Sequence, residues 1–231
     1  MSVRAIVMDI EGTTSSIDFV HKVLFPYAAR ELPDFVRSHS SDREVLQLLD
    51  EARIEAGEAS ANTERVIEIL AKWIEQDRKA GSLKALQGLV WESGYRDGDF
   101  TGHVYPDVAP NMKNWVENGI ALYVYSSGSV QAQKLLFAHS AAGDLRPFIR
   151  GYFDTRTGHK RDASSYRRIA QSLQLTPSQI LFLSDTAAEL DAATEAGMQT
   201  IQLARDKNVV RGAHTMVADF DAISVASVDT E

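Results

Sequence analysis

The chain contains no cysteine, which removes disulfide staples, thiolate metal sites and cysteine nucleophiles together. It also lacks a surplus of positive charge: 24 Lys and Arg stand against 32 Asp and Glu, for a net charge of −8. A nucleic-acid or anionic-membrane surface needs the opposite balance, so neither partner is expected. Long apolar runs are missing too, and nothing approaches the roughly 20 residues that span a bilayer. The N-terminal MSVRAIVMDIEG meets acid at Asp9 after only a short apolar run, unlike a secretory leader. A cytoplasmic protein is expected. Any anion it binds must be met by local positive charge: a metal, a lysine or backbone N–H groups.

What is present is the composition of an ordinary globular protein, 44% apolar and 24% charged over 231 residues. That suffices for one large domain, or for a core domain carrying a smaller one. Residues 3–10 form a β-branched run that ends in acid and Gly12, which predicts a buried strand followed by a loop. Similar runs occupy 120–125, 180–183 and 200–203, each preceded by a helical pattern. Tyr166, Ile169, Ala170 and Leu173 share one helix face. Thr176-Pro177-Ser178-Gln179 resembles a capping box, and 187–196 reads as a helix stopped by Gly197. Strands alternating with helices predict an α/β fold with a Rossmann-like parallel sheet, whose sites form at the carboxyl ends of the strands.

Residues 17–100 differ, being almost wholly helical in pattern. Ser41-Asp42-Arg43-Glu44 reads as a capping box ahead of Val45, Leu48, Leu49 and Ala52, and Val66, Ile69, Leu70, Trp73 and Ile74 repeat the same spacing. About eighty residues are too many for a crossover between strands. The expected division is therefore a catalytic core from 1–16 and 101–231, with an inserted all-helical domain at 17–100.

Four segments carry candidate chemistry. In Asp9-Ile10-Glu11-Gly12-Thr13-Thr14, residues two apart in extended chain face the same way, so Asp9 and Glu11 can share one site. Two such carboxylates repel unless a cation or a shared proton intervenes; standing alone, the segment reads equally as a solvated acidic loop. Tyr125-Ser126-Ser127-Gly128-Ser129 offers hydroxyl and N–H donors to an anion, or is a plain turn and helix cap. Lys160, in Gly158-His159-Lys160-Arg161, is by itself an unremarkable loop lysine. Ile180-Leu181-Phe182-Leu183-Ser184-Asp185 runs a strand straight into an acid, with Glu189 one helical turn later, able to orient Asp185 or Lys160. If the strands are parallel neighbours, all four gather at one sheet edge. Phosphoryl transfer through a carboxylate needs such a set: a nucleophile, a hard cation, anion-binding donors and a positive charge.

The four segments, in this order, resemble the motifs of the haloacid dehalogenase-like hydrolases. The wording DIEGTT, VYSSGS, GHKRDASSY and ILFLSD is similar to the acireductone synthase (enolase-phosphatase) branch, which keeps glutamate at the place of Glu11 where most relatives have aspartate. The resemblance implies that the helical insert is a cap and that Asp9 attacks phosphorus, with one Mg²⁺ per chain held by Asp9, Glu11 and Asp185. Which part of Glu11 meets the metal stays open. It further implies phosphate binding by Ser126, Ser127 and Lys160, a small phosphate-ester substrate (2,3-diketo-5-methylthiopentyl 1-phosphate, enolised and then dephosphorylated) and a monomer. Glu11 is also a candidate for the group that removes the carbon-bound proton. Phe25, Tyr27, Trp91 and Tyr95 could wall the substrate's apolar end or simply be helix core. Competing readings are another capped Mg²⁺-dependent phosphatase, a metal-free dehalogenase and a phosphoacceptor signalling domain, the last about half this length.

Overall fold

The computed structural model describes residues 2–76, 78–207 and 209–225. Two compact units emerge: Met1–Ile17 with Gly102–Glu231, and Asp18–Thr101.

The first unit is built on a sheet. β1 (Ala5–Met8) is wholly buried at all four positions, as an interior strand covered on both faces requires. After the second unit come α6 (Val108–Glu117), β2 (Ala121–Tyr125), α7 (Val130–Ala138), β3 (Ile149–Phe153), α8 (Ala163–Leu173), β4 (Ile180–Ser184), α9 (Ala187–Glu195), β5 (Gln199–Leu203) and β6 (Thr215–Val217). The strands are all parallel, in the order β3-β2-β1-β4-β5-β6. Met8 pairs with Val124 on one side and Leu183 on the other, which puts the carboxyl ends of β1, β2 and β4 level. The order reverses between β1 and β4, the switch point at which open α/β sheets place their sites.

One face of this sheet is covered by α8 and α9, whose Tyr166, Ile169, Leu190 and Ala193 pack with Val7, Tyr125 and Phe182. The expected helix at Tyr166 and the stop at Gly197 (φ 92°) are both present. In the turn before β4, Thr176 N donates to Gln179 Oε1 at 3.2 Å, the returning arm of the expected capping box. β3 and β6 carry no apolar run. They are the edge strands, IRGYF and TMV, and an edge needs less apolar surface than the interior.

The second unit contains α2 (Phe25–Ser38), α3 (Arg43–Ala56), α4 (Thr63–Glu75) and α5 (Gly81–Asp97), with the short α1 (Ile17–Phe19) at its start. Between α1 and α2 the chain makes a π turn at Val20–Leu24, closed by Phe25 N–H to the Val20 carbonyl. Pro26 follows immediately and has no N–H to continue the ladder. The expected capping box at Ser41 is absent: Asp42 is the N-cap of α3, without a side-chain cap bond. The unit has its own core, in which Leu32, Leu49, Leu70 and Leu86 are fully buried, each contributing about 1.5–3 kcal/mol. Tyr27 and Tyr95 pack edge-on to Phe100 with centroids 4.8 and 4.5 Å away, and Phe25 stacks on Trp91. These four aromatics thus belong to the packing of the helical unit. Among the described residues no helix is long and apolar enough to cross a membrane.

Candidate active site

At the end of β1, Asp9 N–H still donates to the Leu183 carbonyl at 2.9 Å. The chain then folds back sharply. The Ile10 carbonyl accepts N–H bonds from Thr13, Thr14 and Ser15 at 3.1, 3.0 and 2.9 Å, and Gly12 N–H donates to the Ser15 carbonyl at 2.8 Å. Gly12 takes φ +73°, and a Cβ there would overlap the Asp185 carboxylate. Glycine therefore does two things at this corner: it permits the backbone angle and it leaves room for the acid of β4. Thr14 Oγ1 donates to the Asp9 carbonyl at 3.1 Å, whereas the buried Thr13 hydroxyl has no partner among the described residues.

Lys160 lies in the loop between β3 and α8. Three successive carbonyls there are each held by a hydroxyl: Gly158 by Tyr125 (2.9 Å), His159 by Ser165 (2.9 Å) and Lys160 by Tyr166 (2.7 Å). The loop is thus fixed from outside, and the ammonium group goes inward. Its Nζ lies 2.6 Å from Asp9 Oδ1 and 2.6 Å from Glu189 Oε2. Lys160 is only 8% exposed and Asp9 only 3%. Burial alone would discharge this lysine, but the charges of Asp9 and Glu189 more than reverse that and hold it above the ordinary lysine range. Burial, then the charge of Asp9, pushes Glu189 up against the pull of Lys160.

Ser126, at the end of β2, donates through Oγ to Glu11 Oε2 at 3.2 Å and accepts from Gly128 N–H at 3.1 Å. Ser127 is exposed beside it. Burial, followed by the charge of Asp9, raises both Glu11 and Asp185 above the usual carboxylate range. Asp185 accepts from the Thr186 hydroxyl at 3.0 Å, and its carbonyl is held by Gln202 at 2.9 Å. Asp9, Ser126, Glu11, Lys160 and Asp185 are therefore joined by ion pairs, hydrogen bonds or the Gly12 corner. Glu189 pairs with Lys160.

Two neighbours are not singled out as site residues by the sequence alone. Ser184, the last residue of β4, lies with Oγ 3.3 Å from Asp9 Oδ2 and 3.1 Å from Glu189 Oε2. Gln133 on α7 donates to the carbonyls of Gly128 and Phe153, each at 2.9 Å. Ser184 could have been suspected from its place at the carboxyl end of an interior strand; Gln133 reads as one more polar helix residue.

Four carboxylates around one ammonium make a site that is short of positive charge. Among the described residues, no three His, Cys, Asp or Glu side chains form a ready metal-binding group. A hard cation that takes few carboxylates together with carbonyls and waters is the kind such a site suits.

A family model for haloacid dehalogenase-like hydrolases matches residues 3–197, and the chain belongs to that family. Relatives that match along almost the whole chain narrow the assignment. The chain is 56% identical to Enolase-phosphatase E1 of Pseudomonas aeruginosa, over 97% of this chain and 100% of the relative. It is likewise 56% identical to Enolase-phosphatase E1 of Methylococcus capsulatus, over 96% and 97%. The crystal structure of the UTR4 protein of Saccharomyces cerevisiae matches with a TM-score of 0.81 at 33% identity, over 96% and 100% of the two chains. Within the hydrolases it therefore falls in the enolase-phosphatase E1 branch, and it is a phosphatase.

Proposed function

We propose that the chain enolises 2,3-diketo-5-methylthiopentyl 1-phosphate and then removes its phosphate to give the acireductone, through an aspartyl-phosphate on Asp9. The observation that carries this is the setting of Asp9: buried at the tip of a central strand, ion-paired to Lys160 at 2.6 Å. That contact sets a fixed positive charge against the carboxylate proposed as nucleophile and holds it in place. Asp9 Oδ attacks phosphorus, the bond from phosphorus to the substrate oxygen breaks, and the leaving oxygen takes a proton. Glu11 is the proposed proton carrier, since its raised pKa lets it hold a proton and Ser126 fixes its carboxylate. Water then cleaves the aspartyl-phosphate and regenerates Asp9. Ser126, Ser127 and Lys160 bind the phosphate oxygens. The same Glu11, in its carboxylate form, is proposed to take the carbon-bound proton in the enolisation and to return a proton to the ketone oxygen, which becomes the enol hydroxyl.

The carboxylate crowding fits a magnesium ion, with Asp9, Glu11 and Asp185 as the protein residues that would hold it. When bound it would supply positive charge to the dicarbonyl and to the phosphate. The test is turnover of the diketo phosphate with and without a chelator, following enol absorbance and then phosphate. Asp9→Asn should abolish phosphate release, and a variant that kept full release would end the reading. Glu11→Gln should slow both phases; enolisation at the full rate would remove Glu11 from the first step. Phosphate release from sugar phosphates, without an enol phase from the diketo ester, would point to a different small-molecule substrate.

A further inference from the structure

We infer that Gln133 is a positioning residue that sets the anion-binding donors of the 126–129 turn and ties them to the strand leading to Lys160, an inference that rests on the phosphatase reading above. Gln133 is 1% exposed and sits in the first turn of α7, where its N–H donates to the Ser129 carbonyl at 3.0 Å. A residue placed there only to fill space would be apolar, because a buried amide is costly unless it is bonded. Gln133 instead directs its Nε2 hydrogens to two carbonyls from separate segments, Gly128 in the turn and Phe153 at the end of β3. Its Oε1 is left buried without a partner among the described residues. The side chain is thus used for donation alone.

The consequence follows from peptide planarity. A carbonyl held toward Gln133 turns the N–H of the same peptide the opposite way, so fixing the Gly128 carbonyl fixes the direction of Ser129 N–H. Within the turn, Ser126 N–H is committed to the Phe153 carbonyl at 3.2 Å and Gly128 N–H to Ser126 Oγ at 3.1 Å. The N–H groups of Ser127 and Ser129 are the remaining two donors of the turn, and these are the ones inferred to meet an anion. The Phe153 carbonyl receives both Ser126 N–H and Gln133, so one side chain registers the turn against the strand whose loop carries Lys160. The hydrogen bonds of Gln133 go to the carbonyls of Gly128, Phe153 and Ser129, none of them a residue assigned to catalysis or metal holding.

The test compares wild type with Gln133→Glu and Gln133→Met, measuring KM and kcat for the diketo phosphate, inhibition by inorganic phosphate, and thermal unfolding. Glu has the same shape but presents acceptors to two carbonyls; Met keeps the volume and drops all polar atoms. With two hydrogen bonds lost, KM and the phosphate inhibition constant should each rise about tenfold, while kcat changes less than threefold. A lowered melting temperature with KM and phosphate inhibition unchanged would show a packing role and overturn the inference, as would failure of both variants to fold. Wild-type protein that releases no phosphate would instead bring down the phosphatase reading, and this inference with it.

Discussion

Lys160 is the residue on which the charge balance of the site turns. Its ammonium serves Asp9 and Glu189 at once, so replacing it with methionine leaves two buried carboxylates facing a cation that is gone. On the proposed mechanism, transition-state charge on phosphate loses its donor as well. Lys160→Met should lower kcat by about 10²–10³, measured as phosphate release at saturating substrate; a fall of less than tenfold would remove Lys160 from the chemistry. At the neighbouring corner, Gly12→Ala adds one methyl group where φ is +73° and the Asp185 carboxylate already fills the space. Both faults act together, so the variant should lose activity and about 1–3 kcal/mol of stability, read by denaturant unfolding. Stability within a few tenths of wild type would show that the loop relaxes. These residues differ in legibility for a physical reason. Asp9, Lys160 and Asp185 stand at strand ends or in the loops after them, where sequence punctuation marks a site edge. Ser184 and Gln133 act through the direction of a hydroxyl and an amide, which no spacing in a sequence records.

Among the elements, the segment that leads into α6 carries a titratable group of its own. His103 Nδ1 accepts the Ser16 N–H at 3.0 Å and lies 3.4 Å from Ser15 Oγ, an arrangement that a protonated ring cannot keep. Burial, and then the charge of Arg205, holds its pKa below the ordinary 6.5. The folded state therefore disfavours the proton relative to the unfolded chain. This contribution to stability is complete above pH 6.5 and is lost as pH falls through the lowered folded value. His103→Asn keeps an acceptor for Ser16 without the titration, so its stability should fall less steeply than wild type between pH 7.5 and 5.5. Parallel curves in urea unfolding at the two pH values would discard this account. At the same scale, interior strands were readable because burial on both faces demands an unbroken apolar run, and amphipathic helices because burial of one face imposes a period on the sequence. β3 and β6 were not, since edge strands have lighter apolar demands, and the N-cap of α3 falls one residue beyond Ser41, at Asp42, with no side-chain cap bond to mark the place.

For the whole molecule, the parallel sheet order has a consequence in time. β1 lies between β2 and β4, so the strand bearing Asp9 is unfinished until residues 180–184 have been synthesised. At about 5–20 residues per second, that delay is roughly 10–35 s, during which four consecutive apolar residues have no lasting partner. The intervening helical unit closes on contacts within residues 18–101, and local contacts form sooner than distant strand pairing. Ribosome-bound chains ending near residue 150 should thus yield a protease-resistant fragment from 18–101 while the chain near residue 9 is still cut. Protection of residue 9 at that length would contradict the order. An enzyme whose first-made strand is completed by one of its last keeps Asp9 unassembled through most of its own synthesis, so a chain cut short before β4 lacks both the partner strand and the Asp185 that the proposed chemistry needs.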